Sequence, residues 1–374
     1  MSDFYQGPQH GPSLLTIDLA ALRANYKILQ KQTLGKPVSA VVKADGYGLG
    51  AVHVSKALAQ AGCKTFFTAH LDEALIVRDA LPDVEIGVLN GLGVNEESLY
   101  KLYNLLPTLN DLGQITAWQS YCAENGALPA SIHMDTGMAR LGLPPVEVKI
   151  LRAEPERLDG FDFKYLMSHM ACADTPDHPL NRLQQQRFLE LTRQFPQACA
   201  MLAASSATFL GPDWHFDMVR TGVALYGGTP NSEMPNPMKQ VVRLGGKILQ
   251  IREIDAATPV GYGSSYVADK KTRVATVAVG YADGYLRSLS GATVAYFGDK
   301  QVPVLGRVSM DLLTLDISDV PKATLGSMID LIGPNNDINK LAEDAGTVSY
   351  EILTSLSSRY KRHYVDGAER YQEN

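Results

Sequence analysis

The stretch VSAVVKADGYGLG, residues 38–50, joins a short apolar run to a lysine and a glycine-rich turn. The run VSAVV is typical of a buried strand, and Lys43 stands where the run ends. A lysine partly removed from water loses some of its preference for the charged form, and its neutral amine can form a Schiff base with a carbonyl group. Lys43 is therefore a candidate catalytic residue. The alternative, from position alone, is a lysine whose ammonium group reaches solvent from a strand end.

Seven similar apolar runs follow, separated by helix-length segments such as residues 181–195. The runs are TFFTA, VEIGVLN, LPTL, ASIHMD, FKYLMSH, CAMLAA and MVRTGVALY. Eight short strands that alternate with helices predict an eightfold β/α barrel of the TIM type. Enzymes with this fold assemble their active sites at the carboxyl ends of the strands, where Lys43 is expected to lie.

The pattern changes near residue 240. Beyond it the chain is rich in predicted strands, including GGKILQIREI, RVATVAVG, ATVAYFG and QVPVLGRV, with Gly and Pro between them. We therefore predict an α/β protein with an N-terminal barrel, residues 14–240, and a C-terminal mainly-β domain, residues 241–374. Residues 1–13 form an N-terminal extension whose part in closing the barrel is left open.

Composition excludes several classes of function. The 374 residues are 45% hydrophobic and 20% charged, with a net charge of −6 and no basic block, which argues against nucleic acid and anionic membranes as partners. The N-terminus has neither the basic nor the apolar segment of a secretion signal, so a cytoplasmic protein is expected. The four cysteines are widely scattered without CxxC spacing, which favours reduced thiols and no metal site.

Two loops late in the predicted barrel suit a phosphate group. Ser206 follows the seventh run, and Gly222 and Val223 follow Arg220 in the eighth. Barrels frequently bind phosphate at these loops through backbone N–H groups, and the phenol of Tyr47 could donate a further hydrogen bond. A helix N-cap and an ordinary turn glycine would give the same local sequence.

The motifs together resemble the alanine racemase family. AVVKADGYGLG, HMDTGMARLG, SHMACADT, MVRTGVALYGG, PVGYGSSY, GYADGY and GRVSMD occur in that order, and the resemblance covers about residues 14–360. It implies a β/α barrel followed by a β domain, pyridoxal 5′-phosphate as cofactor, and a homodimer whose active sites draw on both subunits. The implied reaction interconverts L-alanine and D-alanine by a two-base mechanism and supplies D-alanine for cell-wall peptidoglycan.

The resemblance also implies roles for single residues. Lys43 would carry the cofactor and act as one base, while Tyr262 of the partner subunit would act as the other. Arg220 would face the pyridine nitrogen of the cofactor, and His169 would orient Arg220. Because a guanidinium keeps its proton, such an arginine makes the cofactor ring a weaker electron sink than a protonated pyridine would be.

The remaining implied contacts fall into three groups. The cofactor phosphate is assigned to Tyr47, Ser206, Gly222, Val223 and Tyr350. The substrate is assigned to Arg140, the backbone N–H of Met310, Tyr281 and Asp311. The entrance of the site is lined by Tyr281, Asp174 and Arg307.

One position departs from the family pattern. Many members have a carbamylated lysine seven residues before the equivalent of Arg140, and this chain has His133 there. Since histidine cannot supply a negative charge, we expect a bound chloride or an acidic side chain beside Arg140 instead. Three alternatives remain open for the function: a racemase of broader substrate range, a fold-related decarboxylase, and a non-catalytic carrier of the cofactor.

Overall fold

The computed structural model of the protein describes residues 11–231 and 233–367. Most of the predicted extension 1–13, and residues 368–374 of the predicted second domain, lie outside this described part. Within the described ranges, no helix is long and apolar enough to cross a membrane.

The first strand, β1 (Ser13–Asp18), is followed by eight strands that pair in parallel. They are β2 (Val38–Val41), β3 (Thr65–Thr68), β4 (Glu85–Val88), β5 (Leu106–Leu109), β6 (Pro129–His133), β7 (Asp162–Met167), β8 (Cys199–Met201) and β9 (Val219–Thr221). Neighbours pair in the order β8-β7-β6-β5-β4-β3-β2-β9, which makes a nearly closed barrel. The eightfold barrel predicted from the apolar runs is confirmed.

Helices connect the strands. They are α1 (Leu19–Gln32), α2 (Lys43–Tyr47), α3 (Ala51–Gln60), α4 (Leu71–Ala80), α5 (Glu97–Leu102), α6 (Leu112–Asn125), α7 (Pro145–Ala153), α8 (Pro179–Gln194) and α9 (Ser205–Thr208). The buried residues of α8 are Asn181, Gln184, Phe188 and Leu191, whose spacing places them on one face of the helix. Asp18 caps α1 by accepting the Ala21 N–H at 2.8 Å.

The C-terminal part forms a second, mainly antiparallel sheet. The strands of this part that belong to the sheet are β10 (Val242–Ile254), β13 (Thr272–Val277), β14 (Val294–Phe297), β15 (Lys300–Pro303), β16 (Leu313–Asp316), β17 (Met328–Ile332) and β18 (Lys361–Val365). The same part contains a separate two-stranded sheet of β11 (Pro259–Val260) and β12 (Tyr266–Val267), and the helices α10 (Ile338–Ala345) and α11 (Ser349–Ser355). The predicted mainly-β architecture is confirmed. β1 pairs antiparallel with β10 and parallel with β18, so the first strand completes this sheet rather than the barrel.

One apolar core continues from the barrel into the second sheet. The same cluster of buried side chains contains Tyr47 and Val223 from the barrel and Leu353 from α11. Gly48 allows this close packing, because a Cβ there would overlap the Leu353 backbone. The core therefore fixes α11 against the end of the barrel that carries Lys43.

Candidate active site

The carboxyl ends of the barrel strands bring several of the predicted site residues together. Lys43 lies two residues after β2, and His169 lies two residues after β7. Ser206 belongs to the short helix α9 that follows β8, Arg220 lies within β9, and Gly222 follows β9 directly. Since the strands are parallel, all five positions share one mouth of the barrel.

The turn that follows Lys43 is left-handed. Ala44 and Asp45 have φ values of 52° and 53°, and Tyr47 has a φ of 56°. Such backbone costs about 1–2 kcal/mol for each residue that has a Cβ, so other contacts must hold it. Glu73 accepts the Ala44 N–H at 2.7 Å. Asp45 accepts the Ala51 N–H at 2.8 Å, which ties the turn to α3.

The surroundings of Lys43 favour its neutral amine. The pKa of Lys43 is lowered, first by burial and then by the positive charges of Arg140 and Arg220, while Glu73 acts in the opposite direction. This agrees with the partial desolvation expected from the sequence. A lysine in this state can act as a base and as a nucleophile.

Tyr47 is buried at the wall of the site. Its ring stacks on Tyr226 at 4.5 Å between centroids and lies 6.0 Å from Tyr350. A Cβ at Gly222 would overlap the Tyr47 hydroxyl, so the glycine permits their close approach. Burial raises the pKa of Tyr47, and its phenol is therefore a neutral hydrogen-bond donor.

A cavity of about 530 Å³ opens beside these tyrosines. His169, Ser206 and Tyr350 line it, together with Asp174. Burial, and then the charge of Asp174, raise the pKa of Tyr350 to about 12. The cavity thus presents a hydroxyl, a neutral phenol and the first turn of a helix, which are groups that bind phosphate oxygens.

Arg220 and His169 form a fixed pair. Arg220 is buried, and its Nη2 donates to the Ser168 carbonyl at 3.0 Å and lies 3.4 Å from His169 Nδ1. Because a guanidinium only donates, His169 Nδ1 must accept, and the imidazole proton lies on Nε2. The pKa of His169 is held well below its ordinary value, first by burial and then by Arg220. His169 is therefore neutral.

The residues present suit pyridoxal phosphate. Arg220 Nη1 is buried with no hydrogen-bond partner among the described residues, which suits an acceptor such as a pyridine nitrogen. Burial lowers the pKa of Arg220 to about 10, which still leaves it protonated at neutral pH. Lys43 would supply an amine for the aldehyde, and the cavity lined by Ser206 and Tyr350 would suit the phosphate.

Arg140 lies on an exposed loop after β6 and forms no ion pair within the described residues. The acidic partner expected beside it is therefore not found there. The acidic side chain of this loop, Asp135, accepts the backbone N–H groups of Gly137 and Met138 at 2.8 Å. His133, at the end of β6, lies 3.1 Å from Asn110 through its Nδ1.

Tyr262 lies on the turn between β11 and β12 of the second domain. Its side chain is 69% exposed, and its hydroxyl has no hydrogen-bond partner in the part of the chain described. The flanking Gly261 and Gly263 have φ values of 73° and 68°, a left-handed backbone that glycine adopts without strain. Arg307, predicted at the entrance, lies against this turn.

The other predicted substrate residues form a second cluster. The Tyr281 N–H donates to Ser309 O at 3.0 Å, and the Ala282 N–H donates to Met310 O at 2.9 Å. Asp311 forms an ion pair with Arg359 at 2.8 Å. Tyr281 and Met310 are 42% and 53% exposed, so this cluster presents an open surface.

Sequence reasoning missed the roles of three residues that organise the site. Glu73 holds the left-handed turn; Ser205 accepts the Gly222 N–H at 2.9 Å; and Asn110 contacts His133. Only Ser205 had a signal, because it opens the short helical segment that follows the seventh apolar run. Glu73 and Asn110 act on residues from other strands, which a local pattern does not reveal.

Comparisons with known proteins agree with this geometry. Residues 17–230 match the family model "Alanine racemase, N-terminal domain", and residues 241–364 match "Alanine racemase, C-terminal domain". An alanine racemase of Rhodospirillum rubrum is 48% identical over 357 residues, which is 94% of this chain and 96% of that protein. A catabolic alanine racemase of Agrobacterium fabrum is 47% identical over 355 residues, 94% of this chain and 92% of that protein.

The chain is also similar in structure to a solved alanine racemase. The crystal structure of alanine racemase from Bartonella henselae, with covalently bound pyridoxal phosphate, has a TM-score of 0.91 and 40% identity to this chain. The match covers 95% of this chain and 99% of the Bartonella chain.

Proposed function

The chain belongs to the alanine racemase family, and from that premise we propose that it exchanges the α-proton of alanine through two bases, Lys43 and Tyr262. It is an isomerase that depends on pyridoxal phosphate. The bound cofactor withdraws electrons from the α-carbon and so makes the α-proton acidic. The observation that carries the proposal is the position of Lys43 at the carboxyl end of the barrel beside Arg220 and His169, where burial and nearby guanidinium groups lower the pKa of its amine.

Each base serves one face of the substrate. Lys43 Nζ removes or returns the α-proton on one side, and the Tyr262 hydroxyl does so on the other. A racemase needs two such groups because its two products carry the proton on opposite faces.

Tyr262 comes, in this proposal, from a second copy of the chain. Its exposure and its unpartnered hydroxyl support a role across an interface. Further exposed apolar side chains of the second domain are Tyr281, Met310, Leu312 and Val267. Apolar surface of this kind is typical of a face that another chain covers, so we propose a homodimer with two shared sites.

Arg220 would limit how strongly the cofactor ring withdraws electrons from the α-carbon of the substrate. With a pKa of about 10 it keeps its proton at neutral pH, and its unpartnered Nη1 would donate a hydrogen bond to the pyridine nitrogen. Weaker electron withdrawal of this kind would favour return of the α-proton over other reactions. His169 holds Arg220 in this position through its Nδ1 lone pair.

The remaining residues bind the two ends of the cofactor and substrate. Tyr47 and Tyr350 donate hydrogen bonds from their phenol groups to the phosphate. The loops that contain Ser206, Gly222 and Val223 complete the phosphate site. The substrate carboxylate is bound by Arg140 and, from the partner subunit, by the Met310 N–H. Tyr281, Asp311, Asp174 and Arg307 line the entrance.

In the cell, we propose that the enzyme works in the cytoplasm and supplies D-alanine for peptidoglycan. The name of the Agrobacterium relative favours a second candidate role, the breakdown of alanine. Deleting the gene distinguishes the two roles. Loss of a biosynthetic enzyme that acts alone would make growth depend on added D-alanine, whereas loss of a catabolic enzyme would impair growth on alanine.

A coupled assay for D-alanine tests the proposed reaction. Purified protein with pyridoxal phosphate should interconvert the alanine enantiomers, with serine and 2-aminobutyrate as slower substrates, since one methylene discriminates by only about 1–3 kcal/mol. Equal turnover of lysine or arginine would favour the broader racemase. Release of carbon dioxide would indicate a decarboxylase, and cofactor binding without turnover would indicate a carrier.

A further inference from the structure

The hydrogen bonds of Asn110 determine where His133 carries its proton. Asn110 Nδ2 donates to the Thr108 carbonyl at 2.9 Å and to the Leu89 carbonyl at 3.2 Å. Since both amide hydrogens are used, Asn110 Oδ1 is the atom that faces His133 Nδ1 at 3.1 Å. An amide oxygen only accepts, so His133 Nδ1 must donate. His133 Nε2 is then left with a lone pair.

The loop that carries Arg140 fixes the same imidazole. The Leu143 N–H donates to His133 O at 2.8 Å and closes this loop over the strand end. Gly142 has a φ of +95°, and a Cβ there would lie 2.9 Å from His133 Cγ. One edge of the ring is therefore held by Asn110 and another by Gly142. His133 Nε2 has no hydrogen-bond partner among the described residues, so it is the ring nitrogen that can still accept a hydrogen bond.

The groups around His133 are mainly cationic. Burial first, and then the charge of Arg220, lower the pKa of His133 to about 4; Arg140 acts in the same direction and Asp135 opposes it. His133 also contributes to the lowered pKa of His169, after burial and the charges of Arg220 and Arg140. Both guanidinium groups can only donate, so a neutral imidazole with an open Nε2 is a suitable acceptor for them.

We propose that Asn110 is a positioning residue that holds His133 as the Nδ1–H tautomer, so that His133 Nε2 accepts a hydrogen bond from Arg140. This inference rests on the proposed function, which places Arg140 on the substrate carboxylate. His133 orients Arg140 without a carbamate, and the substrate site then needs no bound chloride.

The tautomer is measurable directly. Ring-nitrogen NMR of the holoenzyme labelled with ¹⁵N-histidine should show a neutral, Nδ1-protonated signal that disappears in His133→Asn. His215 supplies an internal reference of the opposite tautomer, because its Nε2 lies 2.8 Å from the Thr208 carbonyl. A His133 signal protonated at Nε2, or at both nitrogens at neutral pH, would overturn the proposal. The readout does not depend on turnover, so it stands or fails separately from the racemase assay.

A pair of variants tests the acceptor. Glutamine at 133 can place a carbonyl oxygen near the position of Nε2, whereas asparagine is too short to do so. We expect His133→Asn to raise the KM for alanine about tenfold with a smaller change in kcat, and His133→Gln to stay within about threefold. Equal effects of the two variants on KM would contradict an acceptor at Nε2.

Asn110 and chloride are tested with the same assay. Asn110→Ala should raise KM and add an Nε2-protonated signal for His133, while Asn90→Ala, in another Asn–His pair beside His70, should change neither. Wild-type KM should not depend on chloride, and chloride should partly restore His133→Asn. A wild-type enzyme that needs chloride to bind alanine would show that an anion, not His133, supports Arg140.

Discussion

At the scale of single residues, the reactivity of Lys43 follows from its burial and from two neighbouring guanidinium groups. We expect Lys43 to form the covalent bond to the cofactor, with visible absorption that borohydride abolishes. Mass spectrometry should then find the added mass on the peptide that contains Lys43. Lys43→Ala should lose at least about 10²-fold in racemisation. Label on another lysine would show that the assignment is wrong.

His133 predicts a pH dependence of stability. Its pKa is about 4 in the folded chain and near the ordinary 6.5 when unfolded. Between these values the unfolded chain binds more protons, so stability rises with pH and is lost as the pH falls through this window. The contribution amounts to roughly 3 kcal/mol.

Urea unfolding at several pH values measures this effect. His133→Asn does not titrate at this position, so its free energy of unfolding should fall less than that of the wild type between about pH 7 and pH 4. Parallel stability curves for the two proteins would mean that His133 is not held neutral by the fold.

At the scale of elements, the left-handed turn α2 depends on Glu73 from a neighbouring helix. Glu73 accepts the N–H groups of Ala44 and Ala69 at 2.7 and 2.8 Å. Glu73→Ala should lower the free energy of unfolding by about 1–3 kcal/mol and weaken cofactor binding, because the backbone beside Lys43 loses its support. Glu190→Ala, exposed on α8, is the control and should change stability by less than about 0.5 kcal/mol. Equal stability of the two variants would show that Glu73 does not support the left-handed turn.

Some elements of the fold can be predicted from the sequence and others cannot. The barrel strands are predictable because short apolar runs alternate with amphipathic helices. The pairing of β1 with β10 and β18 is not, since it joins positions such as Ser13 and Gly246 that no local pattern connects. The left-handed turn at Ala44 and Asp45 is equally hidden, because residues with a Cβ seldom adopt positive φ.

At the scale of the whole molecule, the second domain has two parts in the proposed site: α11 places Tyr350 in the cavity of its own chain, and the turn that carries Tyr262 is proposed to meet another chain. We propose a domain boundary near residue 240, with β1 completing the second sheet. Lys43, Arg220 and His169 share one end of the barrel. Lys43 was a candidate because it follows an apolar run, whereas Arg220 and His169 were assigned through the resemblance of their motifs. Tyr262 could not be placed beside them by local sequence, because its proposed neighbours belong to a partner subunit.

Isotope exchange tests whether Tyr262 is the second base. Tyr262→Phe removes only the hydroxyl that carries the proton. In deuterated water, incorporation of deuterium at the α-carbon should become strongly unequal between L-alanine and D-alanine, because one face loses its base while Lys43 serves the other. Equal slowing for both enantiomers would argue for a structural role of the tyrosine instead.

Subunit complementation tests the shared two-base site most directly. Lys43→Ala and Tyr262→Phe, each inactive alone, are mixed under conditions in which differently tagged subunits are shown to exchange. In a mixed dimer, one site combines two intact bases and the other has none, so activity should return to about a quarter of the wild-type value, since half of the dimers are mixed and each has one complete site. If exchange is demonstrated and no activity returns, Lys43 and Tyr262 do not meet across the dimer interface.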